Sequence, residues 1–276
     1  MRLSDGITLQ GWVDDNRTVF SGAEAFFIVR DILAVKHTGP YDYVLTGRQF
    51  HWLESVKKAY LAGMPLAYIL GKEEFYGREF QVSANTLIPR KETEIVVEKA
   101  VGFAVSAGCR QILDLCCGCG NIGITMSQLL GANADIFMSD LSFDALLVAE
   151  ENARRHQVPV LASESDLMGC FALDSFDMVV SNPPYVETDN IKGSLIYEPK
   201  LALDGGGDGL ELIRRILEQA PGYIRTGGFL VLEFGWQHKP PISDIIKANG
   251  RYEIREWIKD YDGNWRGVVL QRINER

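Results

Sequence analysis

Residues 111–123 read QILDLCCGCGNIG: a short apolar run, a loop carrying Gly118 and Gly120, and then, at Gly123, the first turn of a helical pattern. A strand that passes through glycines into a helix fits few architectures. The chain has to turn sharply there, and its backbone has to come close to a ligand; glycine permits both because it has no Cβ. The same alternation continues downstream with a helix from Ile122 to Leu130, the strand ADIFMSD, a helix from Phe143 to His156, and the strands VPVLASE and DMVVS. Strands alternating with helices require parallel strands joined by crossovers, which makes the chain α/β with a doubly wound, mostly parallel sheet. After a Gly-rich turn and a helix from Gly209 to Gln219, the segments GGFLVLEF, YEIREWIKD and GVVLQR add further strands.

The loop Gly118-Cys119-Gly120-Asn121-Ile122-Gly123 formally matches GxGxxG. A helix N-terminus beyond such a loop favours negative charge. Asp140 ends the next strand, where a carboxylate can accept hydrogen bonds from both hydroxyls of a ribose. The expectation is a nucleoside-bearing cofactor. The loop alone does not separate a nicotinamide dinucleotide from S-adenosylmethionine. The five cysteines, Cys109, Cys116, Cys117, Cys119 and Cys170, offer no second ligand pair at zinc spacing, and the histidines are scattered at 37, 51, 156 and 238. The clustered three read as small side chains filling a tight turn, and no metal is expected.

The strand DMVVS runs into SNPPYVE, residues 181–187. In an open α/β sheet this strand end faces the same crevice as the glycine loop, so Asn182 should point toward the reactive end of a cofactor. The Asn182 side-chain oxygen and the Pro183 carbonyl are two acceptors held side by side. Together they can take both hydrogens of an NH2 group and aim its nitrogen at a third point. Pro183 and Pro184 stiffen the loop and bring no N–H to compete for those carbonyls. Tyr185 can stack on a planar group or face a cation; its ordinary pKa near ~10 makes it a poor general base. This layout suits a planar amide or an exocyclic amine, and methyl transfer from a sulfonium, where positioning matters more than a strong base. Glu187 and Glu198 nearby read as solvated surface charges.

Upstream, GAEAFFIVRDILAVKH places Ala25, Phe26, Val29, Ile32 and Leu33 on one stripe. TGRQFHWLESVKKAYLAG does the same with Phe50, Leu53, Val56, Ala59 and Tyr60. Both spacings predict amphipathic helices. PLAYILGKEEFYGREFQV, broken by Gly71 and Gly77, reads as a pair of strands, and Glu92 to Ala107 as a helix. The organisation expected is a helical region over 1–64, a β-hairpin connector over 65–84 and the α/β domain over 85–276. A net charge of −9 argues against a general nucleic-acid binder. No apolar run approaches the ~18 residues of a membrane span. The start MRLSDGITLQ, charged and without an apolar h-region, and the odd cysteine count lead us to expect reduced thiols in a cytoplasmic protein.

DLCCGCGNIGI followed some sixty residues later by NPPY resembles class I S-adenosylmethionine-dependent methyltransferases that act on planar nitrogens. PLAYILGKEEFYGREFQVSANTLIPRKETEIVVEKA and YEPKLALDGGGDGLELIRRIL resemble, more narrowly, the release-factor glutamine methyltransferase family, as do LVLEFGWQ and DGNWRGVVLQR. The resemblance covers roughly residues 50–272. It implies a Rossmann-like methyltransferase fold with a seven-stranded sheet. The cofactor it implies is S-adenosylmethionine, and the methyl acceptor is the side-chain amide of the glutamine in the GGQ loop of peptide-chain release factors. Carried onto this sequence, Asn182, Pro183, Pro184 and Tyr185 form the catalytic stretch. Asp114, Cys116, Cys117, Gly118, Cys119 and Gly120 lie along the methionine part of the cofactor, Asp140 and Leu141 at the ribose, and Asp166 and Leu167 at the adenine, with Asn182 beside the methyl group. The N-terminal helices would dock the protein partner. Three positions depart from the family: Cys116 where glycine is frequent, Lys91 where proline is common, and Leu167 where an aromatic often stands.

Three other readings use the same residues. A paralogue could methylate a small amine or amide, or act on the cofactor itself. An amine methyltransferase of nucleic acid is disfavoured by the charge. A binding module that keeps the cofactor as structure has no need of the amide clamp at Asn182. The sequence leaves the oligomeric state open.

Overall fold

The computed structural model describes residues 6–33 and 44–274, with side chains described within 6–29 and 44–274. The chain divides into two compact units after Gly71. In the first, four helices form: α1 (Leu9–Asp15), α2 (Gly22–Leu33), α3 (Gly47–Leu61) and α4 (Leu66–Leu70). Thr8 caps α1 by accepting from the Gly11 N–H, and Thr46 makes a reciprocal capping box with Gln49 at the start of α3. Leu9, Trp12, Phe20, Ile28, Val29, Leu45, Leu53 and Val56 make its core.

The expected stripe on α3 holds, with Leu53 and Val56 buried and Phe50 and Tyr60 packed against them. On α2 the inward residues are Ala25, Ile28 and Val29, whereas Phe26 is exposed. The side chains of Ile32 and Leu33, and residues 34–37 of the same pattern, lie outside the described residues. In this unit α1 and α4 were not expected. PLAYIL forms α4 rather than a strand: Pro65 stands at its N-cap and Gly71 closes it in the left-handed region at φ 72°. An apolar run of five residues has no period long enough to separate helix from strand.

The second unit opens with a hairpin, β1 (Lys72–Phe75) and β2 (Arg78–Gln81). Tyr76 and Gly77 both have positive φ, as a two-residue type I′ turn requires. The hairpin belongs with this unit because Asn152 holds it there. Asn152 accepts from the Gln81 N–H at 2.8 Å and donates to the Gln81 carbonyl at 2.9 Å. The rest runs α5 (Lys91–Ala107), β3 (Gln111–Leu115), α6 (Asn121–Leu130), β4 (Asp135–Asp140), α7 (Phe143–His156), β5 (Leu161–Glu164), β6 (Phe176–Ser181), α8 (Lys200–Leu203), α9 (Glu211–Tyr223), β7 (Ile224–Glu233), α10 (Lys239–Asn249), β8 (Tyr252–Lys259) and β9 (Trp265–Arg272). The helix α10 was not read from the sequence. Its two prolines fall in the first turn, where backbone N–H groups have no helical partner to lose.

The main sheet has seven strands in the order β5-β4-β3-β6-β7-β9-β8. From β5 to β7 all pairs are parallel, and β9 and β8 close the edge antiparallel. The doubly wound, mostly parallel seven-stranded α/β fold is thus the observed one. Strand alternation divides the core: Leu113, Leu115, Val179, Leu230, Leu232, Val268 and Leu270 pack with Ile213, Leu217, Ile242 and Ile246 from α9 and α10. The other face meets α5, where Phe103 lies against Phe229 at 5.5 Å between ring centroids. The chain starts its sheet at β3 and moves outward to β4 and β5, then returns to the other side of β3 as β6. The crevice therefore opens between the carboxyl ends of β3 and β6, where the winding direction reverses.

Candidate active site

The two loops expected to carry chemistry leave the sheet side by side, after Leu115 on β3 and after Ser181 on β6, which are register partners. A cleft of about 610 Å3 opens there, within the usual range for small-molecule sites. Of the residues the sequence singled out, Cys116, Cys117, Gly118, Cys119, Asp140, Leu141, Asp166, Leu167, Asn182 and Pro184 line it. Asp114, Gly120, Pro183 and Tyr185 do not.

Three of these four have a structural cause. Asp114 alternates away from the cleft-side residues of β3 and is buried beneath α6, where its Oδ2 accepts from the Gly123 N–H at 2.8 Å. Burial pushes its pKa up to about 7. Gly120 starts α6 at φ 79°, and a Cβ there would sit 3.0–3.2 Å from Ile124, Met138 and Ala149, so this glycine serves packing. Tyr185 turns its ring into the core, edge-on to His238 at 6.4 Å, and donates its hydroxyl to Glu233 Oε1 at 3.3 Å. Burial holds that phenol well above its ordinary pKa, so it stays protonated.

The glycine loop is built around Asp140. One carboxylate oxygen accepts from the Gly118 N–H and the other from the Ser142 N–H, both at 2.9 Å. Gly118 has φ 52° with nothing within 4 Å of where a Cβ would be, which leaves open space above the loop. Asn152 also fixes this loop through the Cys119 carbonyl at 2.9 Å. Cys116 adopts the left-handed φ of 61°, which explains why glycine suits this position. Its side chain both borders the cleft and packs against the core. Burial raises the pKa of Cys116, Cys117 and Cys119, keeping all three as thiols. Asp166 does not face the cleft with a free carboxylate, because Arg215 binds both its oxygens at 2.8–2.9 Å. Leu167 is buried, and its carbonyl accepts from the Ser139 hydroxyl.

At the other wall, Asn182 Nδ2 donates to Thr93 Oγ1 at 3.2 Å, while its Oδ1 is shielded from water without a partner. A buried carbonyl left unpaired costs about 1–3 kcal/mol. It is a standing acceptor for an N–H that a ligand would bring.

The glycines of ALDGGGDGL hold the NPPY loop down. Val186 makes two backbone bonds to this turn: the Gly205 N–H donates to the Val186 carbonyl and the Val186 N–H to the Leu203 carbonyl, both at 2.8 Å. A Cβ on Gly209 would stand 2.5 Å from the Tyr185 carbonyl oxygen and 2.8 Å from the His238 ring. Glu198, read from sequence as a surface charge, is buried instead. Its carboxylate accepts from the Ile88 N–H at 3.2 Å and from Arg90, fastening the IPRKETE segment to the loop after NPPY. Thr93, Asn152, Glu198 and Glu233 were not picked out as site residues. Each lies far in sequence from what it holds, and only a buried polar residue in an apolar segment, as in LVLEF, hints at such a role.

The Methyltransferase small domain family matches residues 103–220. The release factor glutamine methyltransferase of Moorella thermoacetica is 36% identical over 219 residues, covering 78% of this chain and 77% of that one. The protein of the same name from Thermodesulfovibrio yellowstonii is 34% identical over 269 residues, covering 93% and 95%. Among solved structures, a ribosomal protein L11 methylase from Lactobacillus delbrueckii subsp. bulgaricus aligns with a TM-score of 0.54 at 16% identity, over 73% of this chain and 90% of that one, a likeness of fold. The crevice between β3 and β6, the NPPY loop and the glycine turn that pins it all fall inside a match of this identity and extent, and the chain belongs to the release factor glutamine methyltransferase family.

Proposed function

We propose that this protein transfers a methyl group from S-adenosylmethionine to the side-chain amide nitrogen of a glutamine in a protein, the GGQ glutamine of a peptide-chain release factor. The observation that carries the reading is Asn182: a cleft-lining amide turned so that its Nδ2 is engaged and its Oδ1 is shielded and unpartnered. The relatives' name supplies the substrate class.

The cleft fits the cofactor. Open space above Gly118, the Asp140 carboxylate at the end of β4 and a volume of about 610 Å3 match a nucleoside with a methionine arm. The loop from Cys116 to Cys119 would lie along the methionine, Asp140 and Leu141 along the ribose, and Leu167 against the adenine. Asp166 is bound to Arg215 and would border the adenine as one half of that pair. Bound there, S-adenosylmethionine supplies an electrophilic methyl group on a sulfonium.

The protein's part is orientation. An amide nitrogen is a weak nucleophile, since its lone pair is shared with the carbonyl. Asn182 Oδ1 and the Pro183 carbonyl would accept the two hydrogens of the glutamine NH2, fixing the nitrogen in place and drawing electron density onto it. Alignment of this kind is a large part of what an enzyme contributes to a displacement. Pro183 and Pro184 keep the loop stiff. Tyr185 supports it from the core side through Glu233 and takes no proton. The first unit, within residues 1–71, would dock the protein substrate, and the net charge of −9 favours a protein over a nucleic acid as partner. Among the described residues no helix is long and apolar enough to cross a membrane; we place the activity in the cytoplasm, where chain release occurs.

The test is transfer of labelled methyl from S-adenosylmethionine to purified release factor. Asn182→Ala should lower kcat roughly 100-fold or more with cofactor affinity by calorimetry unchanged. Equal rates for the two proteins would reject the role given to Asn182.

A further inference from the structure

The carboxyl end of the sheet continues past the cleft onto a second surface. β7 runs parallel to β6 and ends at Glu233, so the turn Trp236–His238 that follows it lies at the same end as the NPPY loop. β9 pairs antiparallel with β7, Gly267 opposite Glu233, and with β8, Trp265 opposite Lys259. The turn between β8 and β9 therefore reaches that end too. His238 joins the two regions, its ring edge-on to Tyr185 of NPPY at 6.4 Å. Beyond it Trp236 and Tyr261 are exposed, and neither lines the cleft.

Two lysines share this surface. The Lys239 ammonium stands 3.2 Å from the centre of the Trp265 ring and 5.1 Å from that of Trp257, and the Lys259 ammonium stands 4.3 Å from the centre of the Trp265 ring. Among the described residues neither forms an ion pair, although charges beside them do. Lys99 pairs with Glu256 at 2.6 Å, and Arg266 with Asp260 at 2.8 Å. Two ammoniums on one indole repel each other, and the ring offsets only part of that repulsion. Lys239 also sits in the first turn of α10, which has no acidic residue and where the helix dipole disfavours a cation. In a chain of net charge −9 this is a local excess of positive charge that an incoming anion would relieve.

A glutamine side chain is short. When its amide reaches Asn182, the backbone that carries it lies at the mouth of the cleft, and the body of that protein covers the carboxyl end of the sheet. We propose that Lys239 and Lys259, held on the Trp265 ring, receive one carboxylate of the protein substrate, an Asp or Glu side chain near the loop that carries the glutamine, with Trp236 packed beside it. This rests on the reading of the cleft as a protein-glutamine site, and it adds a contact to the docking given to the first unit. The surroundings favour a single carboxylate over a nucleic-acid backbone. Glu256, Asp260 and Asp262 flank Lys259 in the chain, so a strand of phosphates would meet repulsion that one carboxylate aimed at the ammoniums avoids. The indole ring holds both ammoniums before the partner arrives, so little side-chain freedom is lost on binding. An exposed tryptophan beside them suits the apolar part of such a contact.

The test uses purified release factor. Binding is read by titration calorimetry with S-adenosylhomocysteine in the cleft, which makes it independent of methyl transfer. Lys239→Glu and Lys259→Glu should each weaken binding and raise KM for the release factor roughly tenfold, with kcat and cofactor affinity unchanged. Trp236→Ala should also raise KM and leave kcat alone. Lys259 is exposed, so its variant decides the matter if Lys239→Glu folds poorly. Lys247→Glu makes the same charge change at the far end of α10 and should stay within about twofold of wild type. One replacement of an acidic residue by lysine on the release factor should restore binding to Lys259→Glu while weakening binding to the wild type. Losses no larger than that of Lys247→Glu, or no compensating replacement among the acidic residues of the domain that carries the glutamine, would overturn the proposal. A single-stranded RNA that competes with release factor for the wild type, but does not bind Lys239→Glu/Lys259→Glu, would also overturn it and give the surface to phosphate. Release factor bound through the lysines yet never methylated would leave this surface standing and reject the functional reading. Release factor methylated with a KM indifferent to both lysines would do the reverse.

Discussion

Replacing Glu198 by alanine should loosen one wall of the cleft by an amount the structure allows to be worked out. The Glu198 side chain is 2% exposed and bonds the buried Ile88 N–H and the Arg90 guanidinium. Its loss leaves the Ile88 N–H without a partner in the protein interior, at about 1–3 kcal/mol. Arg90 is one-third exposed and can turn to water, so the penalty for its stranded charge is well below the figure for a fully buried pair. Together these give roughly 3 kcal/mol, hence a fall of about 6–12 °C in the melting temperature of a unit this size. Residues 85–90 and 199–204 both border the cleft, so S-adenosylmethionine should also bind more weakly. Differential scanning calorimetry and titration calorimetry measure the two effects. Glu198→Gln keeps an acceptor and should lose about 1 kcal/mol. A Glu198→Ala protein melting within about 2 °C of wild type would refute the claim that this carboxylate fastens the two segments.

Other positions give sharper, single-sided outcomes. Cys116 sits at φ 61° with its side chain packed against the core, so in Cys116→Gly the relief of strain and the lost packing should nearly cancel. Cys116→Val puts a branched Cβ in the left-handed region and should cost roughly 2 kcal/mol; urea denaturation of both variants checks this. Gly209→Ala forces a Cβ to 2.5 Å from the Tyr185 carbonyl and should cost roughly 3 kcal/mol and displace the NPPY loop, visible as a lower melting point with loss of turnover. Glu233, faced by Thr93 and Glu92 of α5, by Tyr185 and by Arg266 of β9, has its pKa raised from 4.5 to about 7, chiefly by burial. A raised carboxyl pKa means the folded protein holds the proton more tightly. Its contribution to stability is therefore full below pH 4.5 and is lost as pH rises through 7. Relative to Glu233→Gln, the wild type should lose roughly 2 kcal/mol between pH 5.5 and 8.5; a stability difference that stays constant over that range would contradict it.

The parallel strands, the glycine loop and NPPY were legible because each carries a local signal. Strands buried on both faces read as unbroken apolar runs, such as QILDL and DMVVS, and glycines stand where backbone geometry leaves no alternative. What stayed hidden depends on distance. Glu198 looks like one more surface glutamate until Ile88 and Arg90, over a hundred residues away, are folded against it. Asp114 looked like a ligand contact because it adjoins the loop, but its place in the strand alternation turns it beneath α6. Tyr185 looked free to stack, but Glu233 claims its hydroxyl and the core its ring. The helices α4 and α10 were obscured by length in one case and by prolines in the other; those prolines lie where a helix tolerates them best.

The central claim is best tested by locating the methyl group. Release factor treated with this protein and S-adenosylmethionine would be digested, and the peptide carrying the GGQ loop sequenced by tandem mass spectrometry. One methyl group on the side-chain nitrogen of that glutamine, absent when the enzyme is Asn182→Ala, is the predicted result. A methyl group on any other residue, or an unmodified glutamine after incubation with a protein shown by calorimetry to bind the cofactor, would contradict it.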